Sequence, residues 1–366
     1  MTTAPDPTIS AESAPWLSPW PAASLEPVPH CPACGSGERQ IMHRELVDDS
    51  FRIAAGRWTL YRCAQCRCAW LDPRPDRASI GSAYGNYYTH AIDDGASRKP
   101  PASGLRRLRL ALFNGYTNAR YGTRREPASR LGPWLMRLAG RHRQRLDAAF
   151  RYLPRPRSGQ TLLDLGCGNG DFLLAAREAG WTVHGIDPDP QAVEMTRQRG
   201  LDARVGSLDA LAKLPERFDA ITLSHVLEHL HDPAQTLADI HRLLRPGGWL
   251  YIDTPNIDSR GAARWGVHWR GLEAPRHLVL FGMDGLLGLL GRTGFRDVQI
   301  KRRTVVRKFI YLSSLRMQQG QSPYAQHPRQ LPRMLGLALK YLPVSARHDE
   351  FLTLLARRAD DCAGSC

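Results

Sequence analysis

No stretch of this 366-residue sequence stays apolar for long enough to cross a bilayer. The best candidate, HLVLFGMDGLLGLL at 277–290, is short and contains Asp284. The first thirty residues lack the basic start and apolar centre of a secretory signal. Rich in Pro, Ala and Ser, they read as a disordered leader, and a cytoplasmic setting is expected. Acidic residues almost vanish between Arg98 and Arg157, where 16 Arg or Lys stand against Glu126 and Asp147 alone. That segment holds 14 of the net +15 charge, and the remainder is nearly neutral. No internal repeat is visible. What is present is a soluble globular composition, 42% hydrophobic and 23% charged, with length for one large domain plus smaller attachments.

Cys31 and Cys34 form CPAC, and Cys63 and Cys66 form CAQC, with the strand-like RWTLYRC between them and Cys68 just beyond. Two C-x-x-C turns each present a pair of sulfurs, and four thiolates close a tetrahedral shell around structural zinc. A redox pair, or a site that has lost its metal, is the alternative. A full shell leaves no position for catalysis. The basic segment follows. GLRRLRLALFNGYTNARYG and ASRLGPWLMRLAGRHRQRLDAAFRYL both place apolar residues at helical spacing with Arg on the other face. PRPRSGQ closes the segment as a linker.

From Thr161 strands and helices alternate. TLLDLG, WTVHGID, DARVGS, FDAITLSH and WLYIDTPN read as strands, and DFLLAAREAG, PQAVEMTRQRG and PAQTLADIHRLLRPGG as helices. This is the signature of βαβ units and a parallel sheet covered on both faces. FRDVQIKR and HDEFLTLLARR add two strands around a helical insertion near 305–348. The expected layout is a leader at 1–28, a zinc-ribbon-like domain at 29–75 and a basic helical segment with linker at 76–157. An α/β domain at 158–360 and a tail at 361–366 complete it.

The first of those strands runs into Gly166, Gly168 and Gly170. A dinucleotide fingerprint would need glycine at 171, where the residue is Asp. Glycines here let the backbone approach a ligand and adopt positive φ. No Arg or Lys lies within the turn, and Asp164 and Asp171 flank it. A pyrophosphate would be repelled by those carboxylates, whereas a ligand carrying a sulfonium and an ammonium would be favoured. The second strand delivers Asp187, placed to accept hydrogen bonds from both ribose hydroxyls. These features point to S-adenosylmethionine. A glycine-rich turn alone is often only a tight connection; Asp187 is what adds weight.

LLDLGCGNGDFLL with GIDPDP, FDAITLSHVLEHLHDPAQTLADIHRLLRPGGWLYIDTPN and the Gly294-Phe295 pair together resemble a class I S-adenosylmethionine-dependent methyltransferase over most of 155–360. The resemblance implies a Rossmann-like, doubly wound, mostly parallel seven-stranded sheet. YRCAQCRCAWLDPRP and WRGLEAPRHLVLF extend the likeness to bacterial methyltransferases with an N-terminal zinc ribbon, which often act on sugars and other small metabolites. By that resemblance Asp164, Gly166, Cys167 and Gly168 contact the methionine portion, Asp187 binds ribose and Pro188 packs beside the adenine. Ser207 and Leu208 sit at the adenine edge, where many relatives are acidic; Asp209 is a substitute. Ser224 and His225 lie below the reacting methyl.

HVLEH at 225–229 also spells an inverted zinc-protease motif. That motif requires a continuous helix, but here a strand precedes it, and Asp232-Pro233 reads as the cap and first residue of a new helix. A methyl acceptor that must lose a proton needs a base, and His225 and His277 are the candidates. His225 reads equally as cofactor floor, and His277 equally as substrate contact or loop anchor. Trp265, Trp269 and Arg270 form either an acceptor wall or a packed lid.

The expected reaction is methyl transfer to a small-molecule or glycan-precursor acceptor, such as a sugar hydroxyl, near a membrane surface. Residues 98–157 suit an anionic membrane on its inner face, a phosphorylated acceptor or RNA, or form a solvated face. The alternative is an RNA base methyltransferase. Strand four ends in LSHVLEH rather than an N-P-P-Y-like turn, which argues against that reading. The third reading is a non-catalytic S-adenosylmethionine-binding adaptor.

Overall fold

The computed structural model describes residues 14–85, 104–206, 217–324 and 344–359. Residues 1–13 of the leader, 86–103 at the start of the basic segment, Ser207, Leu208 and Asp209, 325–343 of the helical insertion and the tail lie outside the described residues.

The described chain opens with β1 (Leu25–Glu26), β2 (Arg39–Leu46), β3 (Trp58–Cys63), β4 (Ala69–Leu71) and β5 (Arg74–Pro75). Along β3 the buried Trp58 and Leu60 alternate with half-buried neighbours, as a strand with one covered face requires. β2, β3 and β4 pair antiparallel, while β1 and β5 clasp each other.

The basic segment folds into α1 (Gly104–Tyr121), α2 (Gly132–Leu138) and α3 (Gly140–Ala149). α1 meets the following chain backbone to backbone. A Cβ on Gly115 would lie 1.9 Å from the Ser129 carbonyl oxygen, and one on Gly132 would lie 2.2 Å from that of Leu112.

Next come β6 (Thr161–Leu165), α4 (Asp171–Glu178), β7 (Thr182–Asp187), α5 (Pro190–Gln198), β8 (Asp202–Val205), β9 (Phe218–Ser224), α6 (Pro233–Leu243) and β10 (Leu244–Pro255). Asp232 caps α6 by accepting from the Gln235 N–H at 2.9 Å, with Pro233 at the first helical position, as its sequence required. α7 (Arg260–Trp265), β11 (Val279–Leu280), α8 (Met283–Arg292), β12 (Phe295–Lys301), α9 (Arg307–Gln318) and β13 (Phe351–Arg358) complete the described elements.

The main sheet has seven strands in the order β12-β13-β10-β9-β6-β7-β8. β8, β7, β6, β9 and β10 run parallel, and β13 lies antiparallel between β10 and β12. Strand order reverses between β6 and β9. The crevice beyond their carboxyl ends is where an open α/β sheet binds ligands. β6 is buried along nearly its whole length because helices cover both faces.

The cysteine-bearing unit is stitched to this sheet. β11, from the loop after β10, pairs with β4 and extends the small sheet to β11-β4-β3-β2. Just before β11, Arg276 donates to Asp48 through both terminal nitrogens and to the Ala83 carbonyl, and both Arg276 and Asp48 are fully buried. Asp48 also accepts the N–H groups of Phe51, Ile53 and Ala54. Removing one member of such a pair strands a buried charge. Asp48→Ala should therefore lower the unfolding free energy by about 3–5 kcal/mol, and adding Arg276→Met should recover part of the loss. Urea titrations check this; equal loss in single and double variants would dismiss the pairing as the source.

Candidate active site

The glycine turn lies at the crevice. Gly166 has φ +70°, and its N–H donates to the Ile186 carbonyl at 2.8 Å. A Cβ there would strike Val226 at 2.5 Å. Gly168, at φ +52°, faces open space, with nothing within 4 Å of an added Cβ. Gly170, at φ +80°, opens α4. The turn is held against β7, because the Gly168 N–H donates to Asp187 Oδ2 at 2.8 Å and the Asp189 N–H to Oδ1 at 2.9 Å. Both oxygens keep a further lone pair. Burial pushes the Asp187 carboxyl up, and these two donors pull it back. An open glycine ledge beside an oriented carboxylate fits the ribose and methionine portions of S-adenosylmethionine. Cys167 is buried behind the turn and Pro188 is exposed beside it.

The acids flanking the turn are not bare. Arg151 reaches over the ring of Phe172, 3.7 Å from its centroid, and pairs with the fully buried Asp164, while Thr222 Oγ1 donates to Asp164 at 2.8 Å. Asp171 is paired with Arg199 at 2.7 Å. The sequence argument for a naked negative turn is therefore corrected: the turn itself has no cation, but distant ones reach it.

Past β9 the chain bends at His225, which has φ +56° and donates its N–H to the Asp253 carbonyl at 2.8 Å. Its side chain is 41% exposed. Nδ1 lies 3.4 Å from Glu228 Oε1 and Nε2 lies 3.4 Å from Asp253 Oδ2. Glu228 is completely buried and accepts from Thr254 Oγ1 at 2.9 Å through Oε2. Burial opposes its ionisation, but the facing imidazoles of His225, His229 and His277 hold its carboxyl at about 2. His277 is buried, with Nδ1 2.8 Å from the Gly271 carbonyl and Nε2 4.0 Å from Glu228 Oε1. The two candidate bases, far apart in sequence, thus share one carboxylate. Ser224 is half-buried at the end of β9, register partner of Asp253.

Some residues here had not been singled out. Asp253 stands near the end of β10, two residues before Pro255, and it pairs with Arg303. Glu273 pairs with Arg270 and is held at about 2, burial being outweighed by Arg270 and His277. An acid near a strand end signals the first, but nothing local signals the second. Trp269 and Arg270 are both buried, Trp269 donating to Glu350 at 3.1 Å, so they pack as a lid rather than line an open wall.

The cysteines converge. Cys31 and Cys66 Sγ lie 3.5 Å apart, as do Cys34 and Cys63, and the Cys66 N–H donates to Cys63 Sγ at 3.4 Å. A tetrahedral shell with Zn–S near 2.3 Å has edges of about 3.8 Å, so the four sulfurs fit zinc with little adjustment. Purified protein should release this zinc on titration with a mercurial, and Cys34→Ser should abolish that release; release left unchanged by the substitution would sink the assignment.

Residues 136–300 match the methyltransferase domain family. The ubiquinone biosynthesis O-methyltransferase of Paracidovorax citrulli is 32% identical over 145 residues, 37% of this chain and 55% of its own length. That of Xylella fastidiosa is 39% identical over 119 residues, 31% of this chain and 48% of its own. The chain thus spans about half the length of these curated relatives. A crystal structure of an S-adenosylmethionine-dependent methyltransferase from Mesorhizobium loti aligns with 59% of this chain and 98% of its own, at 20% identity and a TM-score of 0.40. Residues 136–300 are thus similar to the methyltransferase domain family, and the α/β fold with a mostly parallel seven-stranded sheet is the one expected from the sequence.

Proposed function

We propose that the chain transfers a methyl group from S-adenosylmethionine to a hydroxyl of a small molecule, a sugar or other glycan precursor, held close to an anionic membrane. The observation that carries the reaction is His225. It is an exposed imidazole between two buried carboxylates, on the edge of the sheet that presents the glycine turn. Relatives named as O-methyltransferases support oxygen as the methylated atom.

The donor supplies an electrophilic methyl on a sulfonium, so the protein's task is alignment and exclusion of water. Asp187 takes the ribose hydroxyls and Gly166–Gly168 the methionine backbone. Arg151, already at Asp164, takes the methionine carboxylate. His225 accepts the proton of the acceptor hydroxyl, and Glu228 and Asp253 stabilise the imidazolium that results. His277 is too buried to reach an acceptor and works through Glu228.

The membrane part rests on α1 and α2. Leu105 is 86% exposed, Trp134 61% and Leu138 77%, with Leu108 and Leu131 also exposed. Leu131, just before α2, falls with Trp134 and Leu138 at i, i+3 and i+7, one stripe along the helix. Arg106, Arg107 and Arg109 surround the leucines of α1, the combination that seats a helix in an anionic interface. Against RNA, no flat-base turn follows β9.

Asp187→Ala should weaken S-adenosylmethionine binding by about tenfold or more, read by calorimetry, because it removes charged acceptors of two hydrogen bonds. Unchanged affinity would remove the ribose assignment. His225→Ala should lower kcat by about 10²–10⁴ with donor affinity retained; normal turnover would exclude it as the base. The protein should float with vesicles containing phosphatidylglycerol but not with neutral ones, and Trp134→Ser with Leu138→Ser should abolish flotation. Equal flotation on both vesicle types would contradict the charge argument.

A further inference from the structure

Glu228, His229 and His277 present ligand atoms that all lie within 4.8 Å of one another. Their surroundings are arranged as a metal site's would be. The His277 Nδ1 faces the Gly271 carbonyl at 2.8 Å, and the His229 Nδ1 faces the Arg276 carbonyl at 3.0 Å. A backbone carbonyl can only accept, so the His277 Nδ1 carries the proton and its Nε2 keeps a free lone pair, while the His229 Nδ1 is held between the Arg276 carbonyl and the Tyr84 hydroxyl, 2.9 Å away. Anchoring the far nitrogen of an imidazole is how ligating histidines are commonly oriented.

The carboxylate adds an independent sign. Glu228 is completely buried, and its Oε1 has only the His225 Nδ1 at 3.4 Å, without the geometry of a hydrogen bond. The His277 Nε2 lies 4.0 Å from that oxygen, too far for a hydrogen bond, and the second unpartnered oxygen, Glu273 Oε2, lies 3.9 Å from the same nitrogen. The His277 Nε2 lone pair thus faces two carboxylate oxygens, with Arg276 Nε 3.9 Å from Glu273 Oε2 as the nearby cation on that side, and a bound cation between nitrogen and oxygens would turn this repulsion into attraction. Tetrahedral ligands about 2.1 Å from a cation stand about 3.4 Å apart, so a contraction of up to about 1.4 Å closes the shell.

We propose that Glu228, His229 and His277 bind a divalent first-row transition-metal cation, with Glu273 beside them as compensating charge. The imidazole pair disfavours calcium and magnesium, and the carboxylate with no thiolate admits manganese and zinc. The site is separate from the four cysteines and from the donor crevice, and it holds whether or not the chain transfers methyl groups. Its cation would fix the loop 271–278 against the turn 227–229. On the exposed side, His225 Nδ1 borders the same carboxylate oxygen at 3.4 Å.

Manganese tests this selectively, because the four-thiolate site prefers zinc. The full chain, with its thiolate site filled, is titrated with Mn²⁺, and free Mn²⁺ is followed by its paramagnetic resonance signal. One Mn²⁺ per chain should bind. His277→Ala and Glu228→Gln should each weaken it by about tenfold or more, while Asp187→Ala, on the donor side, should leave it unchanged. Wild type should also gain thermal stability on adding Mn²⁺, a readout that requires no variant to fold. Absence of both the bound equivalent and the thermal shift overturns the proposal, as does binding that survives both ligand substitutions in folded protein. Loss of methyl-donor binding with Mn²⁺ binding intact would defeat the proposed reaction and leave this site standing.

Discussion

The buried pair of Arg276 and Asp48 is the constraint on which the arrangement of the site depends. Asp48 collects three backbone N–H groups of its own turn and then the guanidinium of Arg276, 228 residues later. Taken as stability, such a pair contributes little, because desolvation cancels most of the attraction. Its effect is on geometry: a guanidinium with no water available tolerates one position only. That position fixes His277, the next residue, and delivers Val279 and Leu280 into pairing with β4. The cysteine-bearing unit is therefore part of the scaffold of the crevice. Zinc would stiffen the far end of the same small sheet, coupling the thiolate shell to the loop that carries His277.

The donor crevice shows how a correct conclusion can rest on an incomplete premise. Two carboxylates beside a glycine turn make a negative field only while unpaired, and Arg151 and Arg199 pair both. What remains specific is shape and one oriented group. Gly168 gives a ledge without a side chain, and Asp187 is aimed across it by two backbone donors. Arg151 then has two faces of use: one neutralises Asp164, which burial alone would push toward protonation, and the other lies on Phe172 at the crevice.

What could be read from the sequence divides along contact range. Most strand and helix positions, the Asp232-Pro233 cap and the cysteine pairs are encoded within a few residues and are found in place; the exception is Leu244–Gly248, expected to continue the helix after Pro233 but drawn into β10 by pairing with β9. The partners of Asp164, Asp253 and Asp48 come from 13, 50 and 228 residues away, and no local pattern announces them. Glu273 is the instructive case. It stands four residues before His277, yet its relevance comes from the burial of its whole loop, which only the packing of Trp269 and Arg270 establishes. Ser207 and Leu208, the adenine-edge expectation, lie outside the described residues.

The order of residues in His225-Val-Leu-Glu-His229 finally acquires a reason. On a continuous α-helix, residues four apart stack on one face, so both histidines would share one environment. Here β9 ends at Ser224, His225 takes a positive φ, and only a short 3₁₀ turn covers Leu227–His229. The bend separates the two rings. His225 turns outward against Phe351, 4.9 Å between centroids, while His229 turns toward His277 at 4.7 Å, with Tyr84 Oη 2.9 Å from its Nδ1. Burial and the nearby His277 bring His229 down to about 4, so it stays neutral where a ligand or packed ring must be neutral. Glu228, between them, serves both sides. Non-glycine residues pay strain for a positive φ, and at His225 that strain separates an exposed imidazole from an enclosed one across a single carboxylate.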